Sequence, residues 1–532
     1  MLVTDFLTRN ARFFGAYEAL VVPDGRVSTW LELEQRTESL ASGLSTILAP
    51  GERLAMHAGN CAEYVDFFFG CAKSGVVGAA TNIRHSEDEL VEYLKKVEPS
   101  ALLVHADLAE RGEHLASKLE CVQHVIGFGG DHGFDRDLED LISTAPVRPR
   151  PKLHPDDPYQ MCPTSGTTGS TKSVVMSHRN ATTAMLAYLA EYDAREGDTW
   201  LQMNPLYLNA GGPAHLTHVL WKGGRTIVVP GGFEPRRFLE AVDRFKVTHT
   251  SLVPTMVRMM LDLGPQVISR YDVTSLRSVV LGGAPVTAPF LEEAEAVFGR
   301  VFNSTYGMTE TYSTGLILRT EAVVDESGAV RPDRLATAGR PHLHLDARVV
   351  AEDGSDVPAD GETVGEIWLQ GDSITSGYFR DPDATRDSRS ADGAWFKTGD
   401  LATKDSEGYV KIVDRLKDVI ISGGLNVTSG EIEGVLSTHP EVLEVSVIGV
   451  PHPTWGEAVH AVIVRRTKGM QDELTRDELT EQLAAIARER LGGYKRPKSY
   501  SYVVALPRNS TGKVLKRELR RTLAGQGGVQ AE

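Results

Sequence analysis

Long apolar runs, paired cysteines and a basic excess are all missing from this chain. No stretch approaches the run of about eighteen apolar residues that a membrane-spanning helix needs, so no span is expected. The first twenty residues carry Asp5, Arg9, Arg12 and Glu18 and lack the basic start and apolar centre of a secretory signal. The four cysteines, Cys61, Cys71, Cys121 and Cys162, form no C-x-x-C pair. That removes the common zinc and dithiol motifs and fits a reducing compartment, so the cytoplasm is the expected location. Lys and Arg number 56 against 72 Asp and Glu, a formal charge of −16. A nucleic-acid partner is not expected, because a phosphate backbone demands a basic face.

What is present is enough apolar residue, 41% of 532, to bury more than one core. Apolar periodicity predicts a helix over 28–50 with Ser28 or Thr29 as its cap, a strand at Arg53–His57, a helix at Glu63–Ser74 and a strand at 76–80. A helix at 88–97 and a strand at Ala101–His105 follow. This alternation is that of an α/β lobe with a largely parallel sheet. The Phe67-Phe68-Phe69 cluster reads as core. Further strands are expected at 200–205, 226–229, 247–252, Ser278–Leu281 and 300–303, with 304–310 as the loop after the last. Ligand crevices lie at the carboxyl ends of such strands. Near residue 340 the pattern changes to alternating, antiparallel-looking strands with Gly- and Asp-rich turns, and a compact α+β unit follows. The expected domains are 1–415, a large multi-lobed α/β part with mixed sheets and a β-rich subdomain, and 416–532, a small α+β part.

The richest chemistry lies between Met161 and Asn180. Thr164 to Ser173 contains seven hydroxyl residues, two glycines and Lys172. Glycine lets a backbone approach a ligand closely, successive N–H groups form an anion-binding concavity, and the lysine adds a positive charge. The stretch is suited to a polyphosphate. It is not the nucleotide-hydrolase P-loop, because Thr171 stands where that motif needs its second glycine. A Ser/Thr/Gly surface linker has the same composition, so the other motifs decide.

Those motifs are Thr305-Tyr306-Gly307-Met308-Thr309-Glu310, Thr398-Gly399-Asp400, expected in a turn after Trp395-Phe396, Asp414-Arg415-Leu416-Lys417-Asp418 and Pro507-Arg508-Asn509-Ser510-Thr511-Gly512-Lys513. Together with Thr164-Ser165-Gly166-Thr167-Thr168-Gly169-Ser170-Thr171-Lys172 they resemble, in order and spacing, the adenylate-forming superfamily of acyl- and aryl-CoA synthetases, peptide-synthetase adenylation domains and luciferases. The resemblance runs from about residue 10 to 522. It implies ATP, Mg²⁺ and coenzyme A. In the implied reaction a carboxylate, expected to be small or medium because Thr305 and Leu208 narrow the pocket, attacks the α-phosphorus of ATP, and a thiol then displaces AMP from the acyl-adenylate. It implies a phosphate grip at Thr164–Gly169 and Lys172, phosphate contact at Thr309 and a metal-holding carboxylate at Glu310. Adenine falls to Thr305, Tyr306, Gly307, Gly283, Ala284 and Pro285, and ribose to Asp400 and Arg415. Lys513 would bridge the carboxylate and α-phosphate in the first step. Lys417 is the hinge position about which the small domain turns, and Gly423 and Gly424 line a thiol tunnel. The acid pocket is expected at Tyr207, Leu208, Asn209, Gly211, Gly282, Thr305 and Met308.

The match departs in three places. Thr171-Lys172-Ser173 replaces the usual Pro-Lys-Gly. Thr305 replaces a glycine, adding bulk beside the acyl group. Leu208 replaces a histidine that borders it, which leaves the acceptor open; His215 and His218 are nearby histidines, and a lone histidine is more often structural. A carrier-protein thiol, or an amine receiving an unusual acid such as nitrite, stands as the alternative acceptor, and a non-catalytic nucleotide sensor as the alternative class. His178 is read as structural. A monomer or homodimer is expected.

Overall fold

The computed structural model describes residues 1–144, 149–164, 171–209, 212–283, 286, 288–325, 327–466, 474–508 and 514–525. The chain forms two compact units, Met1–Ala347 with Leu369–Phe396, and Arg348–Trp368 with Lys397–Glu532.

In the first unit, the helix Trp30–Leu44 starts where expected. Thr29 caps it, accepting from the Glu32 amide while Glu32 reaches back to the Thr29 N–H, a reciprocal arrangement that contributes about 1 kcal/mol. It stops at Leu44 and not near residue 50, because Ser45 closes the last turn onto Ala41 O. The helix Glu63–Ser74 buries Phe67, Phe68 and Phe69, so the phenylalanine cluster is core. Each such side chain contributes on the order of 1.5–3 kcal/mol on leaving water.

Two sheets organise this unit. Among the described residues one has eight strands, with Lys172–Ser177 and Pro158–Thr164 antiparallel beside the parallel set Val77–Ala80, Arg53–His57, Ala101–His105 and His124–Phe128. The other has nine, with Arg225–Val228, Thr199–Gln202, His249–Leu252, Ser278–Leu281 and Phe302–Gly307 parallel neighbours in that order. Strands such as Ser278–Leu281 are buried along their length, as parallel strands covered on both faces are. The carboxyl ends of the last four strands therefore bring the segments after Gln202, Leu252 and Leu281, and the residues from Thr305 onward, to one end of the sheet. The motif at Thr305 is not in a loop. Residues 305–307 continue the strand because Gly315–Leu318 pairs with them, Tyr306 opposite Leu316 and Gly307 opposite Gly315.

Further along the chain, among the described residues, a four-stranded sheet of Asp346–Val350, Gly365–Gln370, Phe396–Lys404 and Val410–Arg415 is followed by a five-stranded sheet, with the helices Ser429–Leu436 and Arg476–Arg490 packed into its core. Thr398-Gly399-Asp400, expected in a turn, lies inside a strand, where Asp400 stands opposite Arg415. The architecture is the mixed α/β one expected, with a β-rich region and a smaller α+β C-terminal part.

Candidate active site

The two ends of the phosphate-loop motif, Thr164 and Lys172, lie on neighbouring antiparallel strands. They are opposite each other in that pair. Ser165, Gly166, Thr167, Thr168 and Gly169 lie outside the described residues. Lys96 Nζ donates to Thr171 O at 2.8 Å and anchors the returning strand.

Lys172 Nζ lies over the Tyr378 ring, 4.5 Å from its centroid. The Tyr378 hydroxyl donates to Glu310 Oε1 at 2.9 Å. One phenol thus holds the strand pair's cation and the motif's carboxylate. Burial raises the phenol's pKa, and the adjacent Glu310 charge raises it further, so Tyr378 stays a donor. Tyr378 escaped the sequence reading. Its signal was an aromatic in Ser376-Gly377-Tyr378-Phe379 ahead of Asp381-Pro382, and its strand pairs with Lys172–Ser177, Tyr378 opposite Val174.

Behind Glu310 the backbone is held in an uncommon shape. Thr375 N donates to Glu310 O at 2.7 Å. Tyr312 and Ser313 both adopt left-handed backbone, φ +52° and +64°. Such residues cost about 1–3 kcal/mol each and persist where their surroundings impose them. Here Tyr312 is fully buried with its hydroxyl on Tyr159, and Ser313 Oγ accepts from Asn209 Nδ2 at 3.3 Å. Gly307 is obligatory for the same shape: a Cβ there would lie 2.3 Å from Ser313 O.

Of the expected acid-pocket residues, Gly282 and Thr305 are neighbours; a Cβ on Gly282 would sit 3.5 Å from Thr305 Cγ2. Leu208 is half-buried, packed on the apolar core. Tyr207 and Asn209 are buried, and Asn209 is bonded to Ser313 and to Cys162 Sγ. Asn209 thereby ties the segment after Gln202 to the loop after Glu310. Tyr306, Met308 and Thr309 are half-buried and Gly283 is exposed. Gly211, Ala284 and Pro285 lie outside the described residues. His178 is buried, its Nδ1 accepting from the Val3 amide at 3.3 Å, and burial lowers its pKa to about 4, as befits a structural residue. His218 is buried among Tyr188, Tyr192, Trp200 and His249.

In the second unit, Asp400 is buried, and Arg415 Nε stands 3.2 Å from its Oδ1. Glu366 fixes the approach, accepting from the Gly399 N–H at 2.9 Å. Asp414 is occupied structurally, accepting from the Ser429 amide and hydroxyl at 2.5 and 2.7 Å. Lys417 follows in a short 3₁₀ turn, Leu416–Asp418. Gly423 and Gly424, φ +60° and +80°, form the two-residue turn joining Ile420–Ser422 to Leu425–Val427. Two left-handed residues in succession make the hairpin turn that glycine favours. Lys513 lies outside the described residues.

The family model described as AMP-binding enzyme matches residues 7–379, and the model of its C-terminal domain matches 431–513. The chain is 35% identical over 498 residues to a feruloyl-CoA synthase of Amycolatopsis sp, covering 93% of this chain and 94% of that protein. It is 32% identical to the fatty acid–[acyl-carrier-protein] ligase ScoC of Streptomyces coeruleorubidus, covering 94% and 92%. Among solved structures, the anthranilate CoA ligase AuaEII in complex with anthranoyl-AMP superimposes with a TM-score of 0.85 at 25% identity, covering 99% and 98%. The chain belongs to the family of AMP-binding enzymes and carries that family's C-terminal domain.

Proposed function

We propose that this chain is an ATP-dependent acid–CoA ligase that activates a small or medium carboxylate, aromatic or short aliphatic, as its acyl-adenylate. The observation that carries the reading is the single phenol of Tyr378 holding Lys172 and Glu310 beside the strand pair that carries the ends of the phosphate-loop motif. A cation and a carboxylate so placed suit a polyphosphate and the metal ion that accompanies it.

The donor set fits Mg²⁺. Glu310 is a hard oxygen ligand, and among the described residues no group of three or more His, Cys, Asp or Glu forms a cage. One carboxylate, with phosphates and water completing the shell, is how Mg²⁺ is usually held. When bound, it neutralises charge on the phosphates. Lys172 and the Thr164–Gly169 loop grip the end that leaves as pyrophosphate. Asp400, acceptor-only as a carboxylate, takes the ribose hydroxyls, with Arg415 beside it. Lys513 faces the charge that develops as a carboxylate oxygen attacks the α-phosphorus and the bond to pyrophosphate breaks. The thiol sulfur of coenzyme A then attacks the acyl carbon. The thiol proton leaves to solvent, and the carbon–oxygen bond to AMP breaks.

The feruloyl-CoA synthase relative and Thr305 in place of glycine support an acid of modest length. The domain boundary at 415/416, with a hinge at Lys417 and the thiol passage at Gly423 and Gly424, is part of the proposal. So is the cytoplasm, which suits four free cysteines. A carrier-protein thiol is the second reading, favoured by the ScoC similarity and by Leu208 in place of histidine.

The test is incubation with ATP, Mg²⁺ and a panel of carboxylates, with and without coenzyme A, following pyrophosphate and product mass. A thioester formed only with coenzyme A is expected. Adenylate without thioester would transfer the reading to the carrier protein, and no pyrophosphate with any acid would overturn it.

A further inference from the structure

We propose that the buried pair Glu191–His342 is a positioning device for Thr305, and that through Thr305 it sets which acids the site accepts. This rests on the reading above that the acid lies against Gly282 and Thr305.

Thr305 occupies a strand position that the family it resembles gives to glycine. A threonine there can turn its methyl or its hydroxyl toward Gly282, and those rotamers present different walls. In the structure the methyl faces Gly282. The hydroxyl faces inward, 3.3 Å from His342 Nε2 and 3.4 Å from Leu316 O. Tyr192 Oη approaches the same hydroxyl without completing a hydrogen bond.

His342 is itself fixed. Its Nδ1 is hydrogen-bonded to Glu191, whose other oxygen accepts from the Leu343 amide at 2.9 Å. The Tyr188 ring stands edge-on to the imidazole, with centroids 5.6 Å apart. Both partners of the pair are at least 98% buried at the side chain. Glu191 is also the last residue of the helix His178–Glu191, where the helix dipole opposes a negative charge. Burial raises the carboxyl's pKa, but the His342 hydrogen bond and charge, the Leu343 amide and Arg319 outweigh it, and the net direction is down. An ionised carboxylate is thus kept where desolvation and the helix end both disfavour it. Such buried pairs are poor sources of net stability, and their better-attested use is to specify one arrangement. Glu191 takes the Nδ1 edge of the ring, and the two groups within hydrogen-bond reach of the Thr305 hydroxyl, His342 Nε2 and Leu316 O, both lie on its inward side. That line admits one threonine rotamer, the one that presents the methyl to the site.

The test measures kcat/KM for pyrophosphate release with acetate, hexanoate, benzoate and 4-hydroxycinnamate, in the native chain and in Thr305→Ser, Thr305→Val, Glu191→Gln and His342→Asn. Thr305→Ser keeps the hydroxyl line and removes the methyl. It is expected to shift selectivity toward the wider acids by roughly 10-fold, the worth of one carbon in an apolar pocket. Thr305→Val removes the line and is expected to change the ratio among acids, as do Glu191→Gln and His342→Asn. Glu191→Gln leaves the KM for ATP within about twofold, and its effect does not add to that of Thr305→Val, because both cut one network. Glu191→Gln lowering all four acids alike would make the pair merely structural. Should it fail to fold, Thr305→Val with the native ratio overturns the inference by itself. Absence of pyrophosphate release by the native chain with every acid would remove the underlying reading and this inference with it.

Discussion

Tyr378 and Glu310 are joined by a 2.9 Å hydrogen bond across 68 residues of chain, and the ring of the same tyrosine carries Lys172. Tyr378→Phe keeps the ring under the ammonium and releases the carboxylate. A hydrogen bond to a charged group is worth about 1.5–3 kcal/mol, so pyrophosphate release is expected to slow by roughly 10- to 100-fold. The Mg²⁺ concentration for half-maximal rate rises with it, because Glu310 loses the Tyr378 hydrogen bond. A Mg²⁺ titration of the variant checks this; a rate loss at unchanged Mg²⁺ dependence would count against Glu310 as the metal carboxylate.

Asp400 is buried with Arg415 3.2 Å away, so removing its charge strands the guanidinium. Asp400→Asn is expected to raise the KM for ATP by about 100-fold, the cost of a lost charge-assisted contact of about 2–3 kcal/mol, and to leave the KM of the acid nearly unchanged. Initial-rate kinetics with each substrate varied in turn decide it. Equal rises in both would mean the pair only holds the two strands together.

Four histidines, His57, His178, His344 and His460, are kept neutral, with burial lowering each pKa to about 4 from an ordinary 6.5. Arg111 adds to the effect at His57 and His342 at His344. Between those values the unfolded chain binds more protons than the folded one. Stability is therefore fully present above pH 6.5 and is lost as pH falls toward 4, by up to about 1.4 kcal/mol per pH unit for each group. Thermal unfolding followed from pH 7.5 to 4.5 should show the fall. His178→Asn should flatten it, and a midpoint flat across that range contradicts the neutral assignment.

Elements whose pattern is local were legible in the sequence. Arg53–His57, Glu63–Ser74 and Ser278–Leu281 lie where their periodicity puts them, because each buries its own apolar set. The misreadings were made by partners far away in the chain. Thr305 to Gly307 read as part of the loop after the strand at 300–303, and the pairing with Gly315–Leu318 extends that strand through them. Thr398 to Asp400 was misread for the same reason, its partner being Val410–Arg415. The five motifs were legible through their resemblance to the adenylate-forming superfamily. Tyr378 and the Glu191–His342 pair were not, since neither has meaning until the fold brings its partners together.

Lys513 immediately precedes Val514, which forms an antiparallel bridge with Arg508, and is proposed to serve the first half-reaction alone. Its charge is needed where carboxylate and α-phosphate oxygens approach, a repulsion absent when a thiol attacks an adenylate already made. Lys513→Ala is expected to depress adenylate formation by 10²-fold or more, on the order of an electrostatic stabiliser's loss, while thioester formation from supplied benzoyl-AMP and coenzyme A keeps its rate. Lys516, three residues on, is paired with Glu433 at 2.8 Å and serves as the control: Lys516→Ala should leave the ratio of the two half-reactions unaltered. Both reactions are measured separately, by pyrophosphate release and by thioester mass. Equal loss of the two in Lys513→Ala would refute the division of labour and return Lys513 to a structural role.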